Sequence, residues 1–170
     1  DASGSRVGAV CGGVDRRLVL VEALPAESRI WIFASGRALD GDEETRLLAQ
    51  TDDFLERWKA HGEPLRCARR WTDGHFLVVG VDPTTENASG CSIDGLFRVL
   101  QQLEPQLEGA RLVGGGRVFY RDNHGEVQSV ERHELKALRD SGAITNNSVV
   151  FDTSLTDLGS LREGFERPAR

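Results

Sequence analysis

The chain has 170 residues, of which 39% are hydrophobic, and its formal net charge is -6. That length supports one ordinary hydrophobic core with an appendage rather than two separate cores. The acidic balance disfavours nucleic acid as a partner, because nucleic-acid binding requires a basic surface. No stretch reaches the roughly 18 consecutive apolar residues of a membrane helix, so we expect no membrane association.

The three cysteines, Cys11, Cys67 and Cys91, lie at wide and irregular spacing. An odd number at such spacing is typical of a reduced protein rather than of a disulfide framework, so we expect free thiols and a cytoplasmic location. Cys67 and Cys91, together with His61 and His75, are acceptable zinc ligands, but their spacings match no known zinc pattern. The sequence therefore predicts neither a metal site nor a cofactor.

The first half of the chain contains the clearest patterns. Residues 1–28 are interpreted as an N-terminal arm, with short strands around Arg6 to Cys11 and Leu18 to Glu22. The apolar run from Arg29 to Phe33 predicts a buried strand, which the turn Ser35-Gly36-Arg37 ends. Apolar residues at helical spacing then predict a helix from Asp42 to Gly62.

Three strands and a second helix are predicted next. The alternating pattern from Leu65 to Trp71 predicts a half-buried strand, and Asp73-Gly74 predicts a hairpin turn. The apolar run from Phe76 to Val81 predicts another buried strand. Helical spacing from Ile93 to Leu103 predicts the second helix, and a further strand is predicted over Arg117 to Arg121.

The order of these elements is strand, helix, strand, strand, helix, strand, which is the split β-α-β order of ferredoxin-like folds. We therefore predict an α+β protein with a ferredoxin-like core over residues 29–121. A C-terminal β-α-β extension over residues 122–170 is expected to pack on it. The second strand of the core is predicted at a sheet edge, where it offers a surface for a symmetric homodimer.

A binding site is predicted where the two helices begin. The first and third strands are expected to run side by side and parallel, which brings both helix N-termini to one edge of the sheet. Free N–H groups at helix N-termini bind anions, so we expect a small anionic ligand. The predicted ligand-binding residues are Ser35, Arg37, Asp82, Asn87, Ser89, Gly90, Ser92 and Asp94. The simpler interpretation is that the serines cap a helix, Asp94 complements its dipole and the glycines form turns.

Cys91 is the candidate catalytic residue. A thiol at a helix N-terminus has a stabilised thiolate and can act as a nucleophile. Asp94 opposes this, because a nearby negative charge raises the pKa of a thiol. The leading functional interpretation is a ligand-sensing or protein-interaction module, and the alternative is a thiol-dependent hydrolase or transferase that uses Cys91.

Six segments carry a resemblance to a known family. They are Arg29 to Phe33, Trp58 to Gly62, Phe76 to Asp82, Ser89 to Asp94, Tyr120-Arg121 and Val150 to Asp152. The Ser-Gly-Cys-Ser-Ile-Asp block at residues 89–94 is the most distinctive. Over roughly Leu24 to Arg170, the chain resembles a family of small uncharacterised bacterial proteins that automated naming often calls ABC transporter ATPases. The resemblance implies a family but no settled activity.

The ATPase label can be tested against the sequence. An ATPase of that class needs a GxxxxGK[ST] loop to hold the phosphates, and neither lysine of this chain, Lys59 or Lys136, lies in such a loop. We therefore reject ATPase activity. Separately, the last 50 residues resemble GYF-type modules in the layout of their strands and helix, which implies protein–protein contact.

Overall fold

In a computed structural model, the backbone is described for residues 6–11, 21–84 and 90–170, and the side chains for the same residues except 6–11, 22, 90 and 91. The chain forms a mixed fold of helices and strands, as the α+β prediction requires. The strands are β1 (Arg6–Cys11), β2 (Arg29–Ala34), β3 (Lys59–Ala60), β4 (Glu63–Pro64), β5 (Cys67–Thr72), β6 (Phe76–Val81), β7 (Arg117–Arg121), β8 (Val127–Glu131), β9 (Val149–Phe151) and β10 (Glu166–Pro168). The helices are α1 (Gly41–Arg57), α2 (Gly90–Leu103), α3 (Leu135–Asp140) and α4 (Leu158–Gly164).

The main sheet has the strand order β1-β5-β6-β2, and all neighbouring strands are antiparallel. The predicted Asp73-Gly74 turn joins β5 to β6, with φ angles of 56° and 66° at its two residues. These positive angles suit a hairpin turn that follows the twist of the strands. Since β6 lies between β2 and β5, the unit from β2 through α1 to β5 is a split β-α-β unit.

The predicted fourth strand of the core is wrong. The segment Arg117–Arg121 forms β7, which belongs to a second sheet of order β10-β9-β7-β8. A tight turn explains this pairing, since the carboxylate of Asp122 accepts hydrogen bonds from the N–H groups of His124 and Glu126. The turn brings β8 directly against β7. Closing such a short loop costs less conformational entropy than closing the long loop that pairing β7 with β2 would require.

The prediction that β5 lies at a sheet edge is also wrong. Strand β1, which the sequence places in the N-terminal arm, pairs with β5 and so puts it inside the sheet. The surface proposed for a homodimer is therefore covered. At the opposite side of the sheet, β2 is the last strand.

The main sheet is covered on both faces. Helices α1 and α2 pack on one face around Leu47, Leu96 and Trp71, all nearly inaccessible to solvent. Helix α4 packs on the other face through Leu158 and Leu161. Among the described residues, no helix is long and apolar enough to cross a membrane.

The second sheet docks on the main sheet through aromatic rings. Phe76 of β6 has its ring centroid 5.2 Å from that of Phe119, 4.7 Å from that of Phe151 and 5.1 Å from that of Phe165. Arg121 adds an ion pair across the same boundary, with its guanidinium 3.3 Å from the carboxylate of Asp73. The opposite face of the second sheet carries α3.

Candidate functional site

The predicted site at the helix N-termini is not formed as expected. Strands β2 and β6 are antiparallel, with Arg29 opposite Val81 and Ala34 opposite Phe76. The end of β2 therefore lies beside the start of β6. Asp82, which follows β6, lies at the other end of the sheet, roughly 17–20 Å away for strands of this length.

The helices confirm this separation. Arg37 donates hydrogen bonds to the carbonyl groups of Leu107 and Glu108, which follow the C-terminal end of α2. Cys91 lies in the first turn of the same helix, which has 14 residues. A helix of that length spans about 21 Å, so Arg37 and Cys91 cannot share a pocket. The predicted convergence is therefore wrong.

At one end of the sheet, Ser35 and Arg37 are held by the fold. The buried hydroxyl of Ser35 donates to the carbonyl of Arg37 at 2.5 Å. The guanidinium of Arg37 donates to both carboxylate oxygens of Glu43, at 2.8 Å and 2.6 Å. This pairing lowers the pKa of the buried Glu43 carboxyl to about 2, against the opposing effect of burial. Arg37 is therefore a cation with its charge already neutralised.

The surface around Arg37 also argues against an anionic ligand. A cavity of about 320 Å³ lies beside it and is lined by Asp40, Asp42, Glu43 and Glu108, with Arg46 as the second cation. Four carboxylates against two guanidinium groups give this cavity a negative balance, which repels anions.

At the other end of the sheet, Asp82 is 1% exposed and completes a turn. Its carboxylate accepts hydrogen bonds from the N–H and hydroxyl of Thr84, at 2.8 Å and 2.7 Å, and from Arg66 at 2.8 Å. Burial raises the pKa of Asp82, but these hydrogen bonds outweigh burial and hold it below its usual value. The geometry matches the simpler interpretation of Asp82-Pro83 as a turn.

The remaining predicted residues are described only in part. Asn87 and Ser89 lie outside the described residues, and Gly90 and Cys91 are described only as backbone of α2. The carbonyl of Ser92 accepts a hydrogen bond from the indole of Trp58 at 3.0 Å, and Asp94 is exposed. The role of Cys91 as a nucleophile therefore stays a prediction.

The other candidate ligands of a metal have structural roles. Cys67 is buried, and its sulfur lies 3.7 Å from the carbonyl oxygen of Leu55. The Nδ1 atom of the buried His75 lies 2.8 Å from the carbonyl oxygen of Asp73 in the hairpin turn. In the described part of the chain, no three side chains of the metal-binding types form a cluster.

Another cavity lies at a place that the sequence did not predict. A cavity of about 550 Å³ lies between α3 and the second sheet. Its apolar lining includes Val118, Leu135, Ile144 and Val150. Ile144 is buried, whereas the other three are half-buried, so apolar surface remains open to an occupant.

Three arginines, Arg139, Arg167 and Arg170, also line this cavity, and no acidic residue is among the described residues that line it. Arg167 forms an ion pair with the carboxylate of Asp152 at 3.2 Å. Arg139 and Arg170 are exposed. Arg167 and Arg170 are close in sequence and Arg139 is far from both, so the fold brings Arg139 to the other two.

Compared with models of protein families, with curated proteins and with solved structures, the chain matches none. The site must therefore be identified from the residues of the chain itself.

Proposed function

We propose that the protein is a binding module whose ligand is an organic anion with an apolar body. The cavity between α3 and the second sheet supports this proposal, because it combines an apolar lining with the exposed Arg139 and Arg170, and none of the described residues that line it is acidic. Its volume of about 550 Å³ lies within the range of roughly 300–1,000 Å³ that small-molecule sites occupy.

The charge of the cavity contrasts with that of the whole chain. The protein carries a formal net charge of -6, so a cationic cavity on it is a local feature rather than a reflection of composition. Guanidinium groups bind carboxylates and phosphates through paired hydrogen bonds. An anion therefore gains these contacts at the arginines while its apolar part covers Leu135 and Val150.

The proposal keeps the ligand-binding interpretation of the sequence but moves the site. Ser35 and Arg37 lie at the opposite end of the main sheet from Asp82, so these residues do not form a shared ligand site. The resemblance of the last 50 residues to GYF-type modules supports a binding role for this part of the chain. That resemblance remains a prediction.

Thermal unfolding with hexanoate, hexyl phosphate and neutral hexanol tests the proposal. We expect the two anions to raise the Tm of the protein while hexanol has a smaller effect, since a ligand of the native state stabilises it by mass action. In a variant with both Arg139→Gln and Arg170→Gln, the rise caused by the anions should be lost.

The matched control carries Arg98→Gln and Arg111→Gln, two exposed arginines outside the cavity. It should keep the full response to the anions. Equal stabilisation of the cavity variant and the control, or a response to hexanol as large as that to the anions, contradicts the proposal.

A further inference from the structure

The outer edge of β2 has backbone groups that point away from the main sheet. The N–H of Ser35 donates to the carbonyl of His75 at 2.7 Å, so Ser35 and the odd-numbered residues of β2 face β6. In an antiparallel pair, hydrogen-bonded residues alternate along each strand, so the even-numbered residues of β2 direct their N–H and C=O groups away from β6. Ile30, Ile32 and Ala34 therefore present their backbone groups outward.

The described part of the chain pairs with this edge at its start. The N–H of Ile30 donates to the carbonyl of Thr156 at 2.9 Å, and the N–H of Leu158 donates to the carbonyl of Ser28 at 2.9 Å. The Asp152 carboxylate accepts hydrogen bonds from the N–H and hydroxyl of Ser154, and Thr153 to Leu155 line a groove that separates them from β2. Within residues 21–84 and 90–170, no backbone group pairs with the outward side of Ile32 or Ala34.

A groove of about 250 Å³ runs along the same part of β2. Trp31, Phe97 and Val113 line it on the side of α2, and Ile32 and Leu155 line it on the side of α4. All five side chains are half-buried. Among the described residues that line the groove, none is charged and none is proline, although the guanidinium of Arg29 lies 4.8 Å from the centroid of the Trp31 ring.

Natural sheet edges are normally protected from pairing by charged residues, prolines, bulges or covering segments. The open part of β2 lacks such residues along its groove, although 28% of the residues of the chain are charged. The same position, beside β2, is where a ferredoxin-like sheet has its fourth strand. The geometry therefore leaves a place in the main sheet that a strand from elsewhere can occupy.

We propose that this edge binds an extended, uncharged peptide segment of a partner protein, which adds a strand to the main sheet beside β2. The backbone of the segment would pair with the outward N–H and C=O groups of Ile32 and Ala34, as in other cases of β-augmentation. Side chains of a strand alternate between its two faces. Apolar side chains of the segment would thus contact Trp31 and Phe97 on one face and Leu155 on the other.

In the pairing centred on Ile32, a second copy of the chain fits this edge less well than a separate peptide. An antiparallel pairing of two β2 strands centred on Ile32 places Ala34 of one copy opposite Ile30 of the other. That position is already occupied by Thr156, whose carbonyl accepts the Ile30 N–H. The proposed occupant is therefore a single strand that begins beyond this contact.

The test uses a displayed library of random heptapeptides selected on the wild-type protein. The most enriched peptide is synthesised with a fluorescent label, and its affinity is measured by anisotropy. We expect an uncharged, apolar peptide whose affinity falls at least about tenfold on the protein variant Ile32→Pro, which removes one hydrogen-bond donor from the edge. The control Ile32→Val keeps that donor and should bind like the wild type.

A second measurement depends only on the wild-type protein and so decides the matter if Ile32→Pro fails to fold. Methylation of the peptide amide nitrogens, one at a time, should weaken binding at alternate positions only, because every second N–H of an added strand faces its neighbour. The proposal is overturned if peptides are enriched no more than on an unrelated protein, or if the peptide binds Ile32→Pro and Ile32→Val with equal affinity. It is also overturned if the effect of methylation does not alternate along the peptide. A wild-type dimer in sedimentation that Ile32→Pro converts to a monomer overturns it as well, since a second copy then occupies the edge.

Discussion

Arg37 and Asp82 are polar residues at strand ends whose hydrogen bonds are used to hold the fold. Arg37 joins the start of α1, through Glu43, to the carbonyl groups that follow α2. Asp82 fixes the turn after β6 through Thr84 and Arg66. A buried charge is stable only with such partners, and an incoming anion would have to displace one of them. At both positions, the contacts support a structural role.

Glu43 provides a test of this role through pH. Its folded-state pKa of about 2 lies below the ordinary value of 4.5, so its stabilising contribution is fully present above pH 4.5 and is lost as the pH falls through about 2. We expect Glu43→Gln to lower the free energy of unfolding at pH 7 by about 1–2 kcal/mol, allowing for solvent around the partly exposed Arg37. Urea denaturation at several pH values measures the difference.

The difference between wild type and Glu43→Gln should shrink between pH 4.5 and pH 2. Asp42→Asn is the matched control, because Asp42 lies in the same first turn of α1 but is exposed. A Glu43→Gln effect that is constant with pH would show that the carboxylate charge does not stabilise the fold.

At the scale of the element, α1 shows local signals that act together. Asp40 accepts a hydrogen bond from the N–H of Glu43 at 2.9 Å, and Glu43 accepts one from the N–H of Asp40 at 3.1 Å. This reciprocal capping box satisfies two donors that the first turn leaves free. The sequence predicted the helix from its acidic first turn and apolar spacing, which are local properties.

The cap can be tested separately from the charge. We expect Asp40→Ala to lower the free energy of unfolding by about 1 kcal/mol, because it removes the acceptor for the Glu43 N–H. Asp40→Asn retains an acceptor oxygen and should lose much less. Urea denaturation of the two variants at neutral pH compares them, and equal losses would mean that the side-chain cap contributes little.

The direction of strand pairing could not be predicted in the same way. Apolar runs identify β2 and β6 as buried strands, but periodicity contains no information on whether neighbours run parallel or antiparallel. The prediction that β2 and β6 run parallel placed Arg37 and Cys91 at the same edge of the sheet. The strands are antiparallel, and this separates the two residues. The C-terminal cavity was missed for a related reason, because Arg139 and Arg167 meet only through the pairing of β9 with β10 and the packing of α3.

At the scale of the whole molecule, the aromatic rings around Phe76 connect the two sheets. Phe76 is fully buried, and Phe119 and Phe151 of the second sheet are nearly so. Aromatic pairs at such distances contribute about 0.5–1.5 kcal/mol each beyond the area that they bury. Since neither sheet covers this cluster alone, we expect both sheets to unfold in one transition.

The positions of the tryptophans allow this expectation to be tested. All three, Trp31, Trp58 and Trp71, lie in the half of the chain that forms the main sheet, so their fluorescence reports on that sheet. Phe119→Leu changes a residue of the second sheet, whose ring contacts Phe76 of the main sheet. If unfolding is cooperative, it should still lower the urea midpoint seen by tryptophan fluorescence, by roughly 0.5–1 M for a loss of about 1–2 kcal/mol.

Hydrogen exchange of the β7 amide groups gives an independent reading of the second sheet in the same variant. A shift of both signals by the same free energy supports a single unit, as two-state unfolding requires. Phe54→Leu, on α1 and remote from the second sheet, should move both signals in the same way from the opposite side of the molecule. If Phe119→Leu changes β7 exchange while the fluorescence midpoint stays at its wild-type value, the two sheets unfold separately, and the Phe76 cluster does not couple them.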